Sequence, residues 1–218
     1  MTAEEMVVFI KPDGYIRRYV GTRALKTILN IGASVEYFGE ERPSKDFMSQ
    51  KHYVHLKGKF FFDWLVDMTT SAPILFMLLK GDAVTSKVRG VLGATISETA
   101  EPLSIRGRYG IGGINIAHAS DSPENAANEV KMWRPTLKIE PRKNYRDKAI
   151  EYIKRYENFP MVDNIRYREI GTELSQGAIT EAMASSLFQE LLRKESDADN
   201  TTLSRFSTLL VENFTMRK

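Results

Sequence analysis

The sequence contains no cysteine, and this absence excludes disulfides, thiolate metal sites and cysteine nucleophiles together. It also fits a reducing compartment, so we expect a cytoplasmic location. Only three histidines are present, which argues against a structural zinc site. No G-x-x-x-x-G-K-[ST] segment occurs, and the glycines between positions 107 and 113 do not form G-x-G-x-x-G. These absences exclude phosphate binding by a Walker loop.

Long hydrophobic runs are also missing from the chain. The longest, Ala72–Leu79, has the length of a strand and falls short of the ~18 residues that a membrane helix needs. The first residues are acidic and lack the basic region of a signal peptide, so we expect neither a leader nor a membrane partner. The net charge of +3 suits an anionic small molecule as readily as a nucleic acid.

The order of predicted elements indicates an α/β unit followed by a helical tail. Strands are predicted at Met6–Ile10, Ala33–Phe38, Ala72–Leu79 and Ile114–His118. Helices are predicted through Leu25–Leu29, after a cap at Ser44, from Phe60, from Asp82 to Gly93 and from Ser122. The stretch Thr95–Gly113 is too polar and too broken for a regular element, so it predicts a long loop, and such loops are usually functional.

The composition changes after Pro135, and little strand signal follows. Helical periodicity predicts three helices in this tail, around Tyr145–Ile153, Ala178–Lys194 and Leu203–Phe214, the last capped by Asn200 or Thr201. We therefore expect two domains, residues 1–138 and 139–218. The apolar faces of the tail must pack on its own core, on a subunit interface or on another protein, and we favour docking within an oligomer.

A histidine stands at the end of an apolar strand, just before a helix, in the segment Asn115–Ser122. Ser122 and Pro123 are typical of a helix N-terminus, whose free N–H groups favour an anion. A neutral imidazole is also a competent nucleophile towards phosphorus. Glu129, about two turns into the helix, is placed to orient the ring of His118. A buried structural histidine fits the same pattern, so the residues alone leave both interpretations open.

Three basic residues stand where they suit a polyphosphate: Lys11 after the first strand, Arg89 on a helix and Arg106 in the long loop. Taken singly, each is typical of a solvated surface charge. His52 and His55 lie at the end of a polar helix, where a solvated or packing role is the ordinary expectation.

Five motifs then occur in order and carry a resemblance: VFIKPDG at 8–14, KHYVHL at 51–56, LGAT at 92–95, SIRG at 104–107 and NIAHASDS at 115–122. Together they resemble the nucleoside diphosphate kinase family, over about residues 5–135. The resemblance implies an α+β fold: a ferredoxin-like βαββαβ antiparallel sheet with helices on one face, here with an α-helical C-terminal extension. It also implies ping-pong transfer of a γ-phosphoryl group from a nucleoside triphosphate to a nucleoside diphosphate.

The matching motif positions imply particular roles. His118 would receive the phosphoryl group, supported by Ser120 and Glu129. The expected phosphate and sugar contacts are Lys11, Tyr53, Arg89, Thr95, Arg106 and Asn115. Phe61 would stack on the base, with Leu65 packed nearby. Mg²⁺ is expected to bind through the nucleotide phosphates rather than in an all-protein site, and the assembly is expected to be a homo-oligomer, a hexamer or smaller.

Several residues depart from the family pattern. Arg108 stands where an aspartate is common, Ala119 where a glycine is common, and Ala94 where a glutamate is usual. The stretch between Gly107 and Asn115 is one residue shorter, and the usual loop proline after Thr95 is missing. None of these changes removes a catalytic group, so they bear on subunit packing and on the hexamer rather than on the chemistry.

One alternative remains, a weak or inactive family member that acts as a scaffold or binds nucleic acid through its tail. From Pro141 onward the chain has 13 Lys+Arg against 12 Asp+Glu, so the tail is no polybasic arm. We therefore expect no requirement for nucleic acid. The alternative also leaves a histidine with all its supporting residues unexplained.

Overall fold

The sheet has the strand order that the resemblance implies. A computed structural model of the chain describes residues 3–141 and 143–216. Within them, four strands form one antiparallel sheet in the order β2-β3-β1-β4. The strands are β1 Glu4–Ile10, β2 Ser34–Glu41, β3 Ile74–Gly81 and β4 Ala117–Ala119. The expected ferredoxin-like α+β fold is confirmed.

The helices of this first part follow the predicted order. They are α1 Pro12–Ile16, α2 Arg18–Leu29, α3 Lys45–Phe47, α4 Phe62–Thr69, α5 Val84–Leu92, α6 Ile105–Tyr109 and α7 Pro123–Trp133. Single turns also occur at Met48–His52, Val54–Leu56, Ser97–Thr99 and Arg134–Thr136. The two predicted caps form, since the Ser44 and Ser122 hydroxyls each accept a backbone N–H bond at 3.1 Å.

Strand β1 lies in the middle of the core and is covered on both faces. Successive strand residues point to opposite faces, yet Met6–Ile10 are all fully buried. The ring of Phe9 lies 5.8 Å from Trp133 of α7. On the opposite face, Gly14 of α1 lies so close to Ile10 that a Cβ there would collide with it. The crossover helices α2 and α5 contact each other on one face and α7 covers the other, so helices lie on both faces of the sheet rather than on one.

Two local predictions in the segment that leads to His118 are wrong. The stretch predicted as a long loop contains helix α6, which begins where the Ser104 hydroxyl accepts a hydrogen bond from Gly107 N at 3.1 Å. The strand predicted at Ile114–His118 is shorter, because Ile116 has a left-handed backbone with φ of 68°. Only β4 continues the sheet there, while Ile114 forms an isolated bridge with Ile111.

The described part of the extension contains four helices rather than the three predicted: α8 Tyr145–Tyr156, α9 Asn164–Ser175, α10 Glu181–Glu195 and α11 Asn200–Thr215. The pattern missed α9 because its buried face is narrow, includes Asn164 and Gly171, and is flanked by arginines and glutamates. The cap of α11 is Asp199, which accepts a hydrogen bond from Thr202 N at 2.8 Å, and not Asn200 or Thr201. Among the described helices, none combines the length and the apolar character that crossing a membrane requires.

The extension packs on the chain's own core. Helix α8 lies beside β2, where the rings of Tyr145 and Tyr37 are 5.0 Å apart. Helix α11 lies along α4, and Trp64 Nε1 donates a hydrogen bond to the backbone oxygen of Leu209 at 3.0 Å. Apolar side chains of both parts form one continuous core. Of the three docking places considered for the tail, the structure shows the chain's own core, and docking within an oligomer stays a prediction. The domain boundary at 138/139 also stays a prediction.

A buried ion pair joins the two parts. Arg17 Nε lies 2.7 Å from Glu195 Oε1, and both side chains are fully buried. Tyr167 O–H donates to the same carboxylate oxygen at 2.5 Å, and Val162 N donates to its partner oxygen at 3.3 Å. Arg17 also donates to the backbone oxygen of Tyr109 at 3.1 Å. Buried charges persist only when paired and hydrogen-bonded in this way.

Replacing Glu195 with alanine is expected to lower the free energy of unfolding by about 3–5 kcal/mol, because Arg17 stays charged and loses its buried partner. Urea unfolding monitored by circular dichroism measures the change. Glu190→Ala on the same helix is the control, since Glu190 is exposed and its pair with Lys194 lies in water, so we expect little change. A loss below about 1 kcal/mol for Glu195→Ala would contradict a clamping role for the pair.

Candidate active site

His118 is held in one orientation by three neighbours. It lies in β4 opposite Phe9, and the two rings stack with centroids 4.7 Å apart. His118 Nε2 lies 2.9 Å from Glu129 Oε2, and Ser120 Oγ donates to the same oxygen at 2.8 Å. A carboxylate accepts hydrogen bonds, so Nε2 carries the proton and Nδ1 keeps its lone pair.

The backbone before His118 makes an unusual turn. Ile116 has φ of 68°, a conformation that a β-branched residue rarely adopts. Its N–H donates to Asp13 Oδ2 at 2.8 Å, and its carbonyl accepts from Lys11 N at 2.8 Å. Asp13 is itself fully buried, and burial raises the pKa of its carboxyl group. These contacts fix a strained turn, and strain of this kind gathers at functional sites.

His52 is buried beside the active histidine. Its ring meets the ring of His118 edge-on, with centroids 4.5 Å apart. Trp133 Nε1 donates to His52 Nδ1 at 3.2 Å, so the proton of a neutral His52 sits on Nε2. Burial lowers the pKa of His52 well below its ordinary value. His52 therefore packs as a neutral ring, while His55 is exposed.

Two of the predicted cations lie deep in the site. Lys11 Nζ donates to Asn115 Oδ1 at 2.8 Å, and burial lowers the pKa of Lys11 to about 8. Arg106 donates to three backbone oxygens, those of Gly93, Asn115 and Ala117, at 3.0, 3.3 and 2.9 Å. Burial and the neighbouring charge of Arg89 lower the pKa of Arg106 to about 10, so it is protonated at neutral pH. Both cations are thus fixed before any ligand arrives.

The predicted residues line one cavity of about 880 Å³. All eleven are present in its wall: Lys11, Tyr53, Phe61, Leu65, Arg89, Thr95, Arg106, Asn115, His118, Ser120 and Glu129. The volume falls in the range of small-molecule sites. Asn115 links two parts of the cavity wall, because its Oδ1 accepts from Lys11 and its Nδ2 donates to the backbone oxygen of Thr95 at 2.8 Å.

The outer part of the cavity is apolar. Phe60 projects into solvent with 76% of its surface exposed, and its ring lies 5.3 Å from that of Phe61. Leu65 is buried behind Phe61, and Tyr53 is buried farther in, with its ring 6.2 Å from that of His118. The cavity thus has a cationic inner end and an aromatic outer end.

Four residues of the site were missed by the sequence reasoning. Asp13 stands inside a motif that we quoted, but nothing in the pattern showed that it binds Ile116. His52 gave only a packing expectation, which its burial supports. Asn213 and Met216, at the end of α11, line the same cavity as His118, and no local signal in the extension indicated this.

This arrangement contains the groups that transfer of a phosphoryl group requires. It offers a nitrogen lone pair, a carboxylate that supports positive charge on the ring, and three cations. Transfer of a phosphoryl group asks the protein mainly for such positioning and charge stabilisation.

Comparison with known proteins agrees with a role in phosphoryl transfer. The family model for nucleoside diphosphate kinase matches residues 4–139. A nucleoside diphosphate kinase of Clostridium perfringens strain SM101 is 36% identical over 138 residues, covering 63% of this chain and 95% of that protein. The extension lies outside the matched region.

Solved structures give the same result. The apo nucleoside diphosphate kinase of Encephalitozoon cuniculi has a TM-score of 0.57 and 30% identity, over 67% of this chain and 99% of that one. The nucleoside diphosphate kinase of Halobacterium salinarum, solved in complex with CDP, has a TM-score of 0.57 and 27% identity, over 67% and 97% of the two chains. These likenesses favour a kinase over the scaffold alternative. The chain belongs to the nucleoside diphosphate kinase family and is a phosphotransferase enzyme.

Proposed function

We propose that this enzyme transfers the γ-phosphoryl group of a nucleoside triphosphate to a nucleoside diphosphate through a phosphohistidine at His118. The observation that supports this most directly is the bond between Nε2 of His118 and Glu129, which leaves the Nδ1 lone pair available. Both nucleotides use the same cavity in turn, so the reaction is ping-pong.

In the first half-reaction, Nδ1 of His118 forms a bond to the γ-phosphorus. The bond between that phosphorus and the bridging oxygen breaks, and the diphosphate leaves with the electron pair. The ring becomes positively charged, and the Glu129 carboxylate stabilises that charge while it holds the Nε2 proton. Ser120 keeps the carboxylate in place. The second half-reaction is the reverse, with another diphosphate as acceptor.

Lys11, Arg89 and Arg106 meet the charge of the transferring group. Because Arg106 is already held by backbone oxygens, little reorganisation is needed when the charge develops. Asn115, Thr95 and Tyr53 are the further polar contacts that we propose for the phosphates and the sugar.

We propose that Phe61 stacks against the nucleobase, with Leu65 behind it. Stacking on an aromatic face reads no base edge, because every base has such a face. Broad acceptance of nucleotides follows. A strong preference for one base, measured as a large difference in kcat/KM among the common diphosphates, would contradict this assignment.

Mg²⁺ fits this site through the nucleotide phosphates and one protein carboxylate rather than in an all-protein site. His52, His118 and Glu129 cluster within 4.8 Å, but nitrogen ligands do not suit Mg²⁺. Asp121 lines the cavity, and a hydrogen bond from Asn125 lowers the pKa of Asp121, so its carboxylate is ionised. We propose that Asp121 and the phosphate oxygens hold the ion, which neutralises phosphate charge when bound. Full activity in excess EDTA would contradict a need for the ion.

We also propose a homo-oligomer, a hexamer or smaller, and a cytoplasmic location. Native mass spectrometry determines the number of copies, and a monomeric mass at micromolar concentration would contradict an assembly. Subcellular fractionation tests the location, which recovery in a membrane or envelope fraction would contradict.

Incubation with ATP labelled in the γ-phosphate is expected to place an acid-labile, base-stable label on the chain, because phosphohistidine has these stabilities. His118→Ala is expected to abolish the label. The control is His55→Ala, which removes an exposed histidine near the site and keeps the nucleophile. Absence of label on the unaltered chain would contradict the proposed function, and label retained by His118→Ala would assign another residue.

Binding of ADP is expected to weaken roughly tenfold between pH 7 and pH 9. With a pKa of about 8, Lys11 is about nine-tenths charged at pH 7 and about one-tenth charged at pH 9, and only the charged form attracts phosphate. Affinity is therefore lost as the pH rises. Calorimetric titration at several pH values measures it. Lys11→Arg keeps its charge over this range and should give a flatter profile, so equal slopes would contradict the assignment.

A further inference from the structure

The last turn of α6 and the loop that follows it, together residues 107–113 between Arg106 and Asn115, are held by the C-terminal extension. Asn164 Nδ2 donates to the backbone oxygen of Gly110 at 3.0 Å. Arg168 donates to that oxygen at 3.0 Å and to the backbone oxygen of Gly107 at 2.7 Å. Arg106 and Asn115 flank this loop and are proposed phosphate contacts, so the extension helps to fix the backbone position of both.

Asn213 of α11 holds the other end of the loop. Its Oδ1 accepts from Gly113 N at 2.8 Å, and its Nδ2 donates to the backbone oxygen of Ile111 at 3.1 Å. Asn213 is 1% exposed, and it satisfies one donor and one acceptor of the loop at once. Gly112 between them has φ of 61°, and a Cβ there would lie 2.6 Å from Asn213 Nδ2. The loop and the helix are thus fitted closely together.

Helix α11 also reaches the aromatic end of the cavity. It lies along α4, where the Trp64 indole donates to the backbone oxygen of Leu209 at 3.0 Å. Asn213 and the half-buried Met216 line the cavity together with Phe61. One helix therefore borders both the loop that leads to Asn115 and the platform on which the base would stack.

We infer that the extension completes the nucleotide site from within the same chain, with α11 as one of its walls. Asn213 is a positioning residue that acts through the loop, and Met216 contacts the bound nucleoside. The inference rests on the proposed function, since it assigns the cavity to nucleotides. The wall lies beside the sugar and base rather than beside His118, so it governs nucleotide affinity more than the transfer step.

Asn213→Ala in the full chain removes both bonds to the loop. It is expected to raise the Kd for ADP, and the KM for the acceptor diphosphate, about tenfold, as the loss of one to two hydrogen bonds predicts. The kcat at saturating nucleotide is expected to stay within about threefold, because His118 and Glu129 are untouched and Arg106 keeps its bonds to Gly93, Asn115 and Ala117. Asn213→Asp keeps the acceptor for Gly113 N but sets a buried carboxylate against the Ile111 carbonyl oxygen, so its Kd should rise at least as much as that of Asn213→Ala.

Two further variants make the test specific. Met216→Ala removes apolar contact near the chain end and should raise the Kd for ADP about threefold, as the loss of a few buried methylene contacts predicts. Thr208→Ala is the matched control, an exposed position on the same helix whose Kd should not change. Calorimetry gives each Kd, steady-state rates give KM and kcat, and thermal melting shows whether each variant is folded.

The outcomes separate this inference from the proposed function. If the unaltered chain is labelled by ATP while Asn213→Ala and Met216→Ala both bind ADP as tightly as Thr208→Ala, the inference that α11 forms a wall of the site is wrong. The proposed kinase function is then unaffected. If the unaltered chain takes no label, the proposed function fails. A drop in kcat with unchanged KM would also overturn the inference. Should Asn213→Ala not fold, Met216→Ala and Asn213→Asp decide the matter.

Discussion

The hydrogen bond between His118 and Glu129 is the constraint on which the rest of the site depends. It fixes the proton on Nε2 of the ring, and so determines that Nδ1 is the nitrogen around which the other groups of the site must be arranged. The three-residue strand β4 is enough to carry the histidine, because Phe9 stacks against the ring and Ser120 holds the same carboxylate oxygen that the ring binds. In the proposed reaction, the cations of the cavity then have to meet the phosphoryl group that the free ring nitrogen receives.

Bringing cations into a buried site is costly, and the chain offsets this cost locally. Lys11 binds the Asn115 side chain, and Arg106 binds three carbonyl groups, so each charge keeps polar partners. Many of those partners belong to the segment that turns at Ile116. The strained turn and the buried charges therefore stabilise each other, and Asp13 holds the turn by accepting a hydrogen bond from Ile116 N.

Local signals predicted much of this molecule. The caps at Ser44 and Ser122, the apolar strands and the family motifs depend on residues close in sequence, and the structure confirms the elements that they predict, except for the strand predicted at Ile114–His118. The left-handed Ile116 was unpredictable, because a β-branched residue in an apolar run indicates a strand. Helix α9 was missed because its buried side is narrow and its flanks are charged. The role of Asn213 depends on a contact across about 100 residues, which no local pattern contains.

The pair of Arg17 and Glu195 joins positions 178 residues apart, so it forms late in any vectorial synthesis of the chain. All of the groups proposed for the chemistry emerge by residue 129, yet the loop between Arg106 and Asn115 meets its last partner only when Asn213 has been made. Long-range contacts of this kind slow folding, because chain entropy is lost before they form. If Asn213 completes the site as we infer, a ribosome-bound fragment holds its nucleophile without a finished binding site, and the enzyme becomes competent only once the extension has been translated.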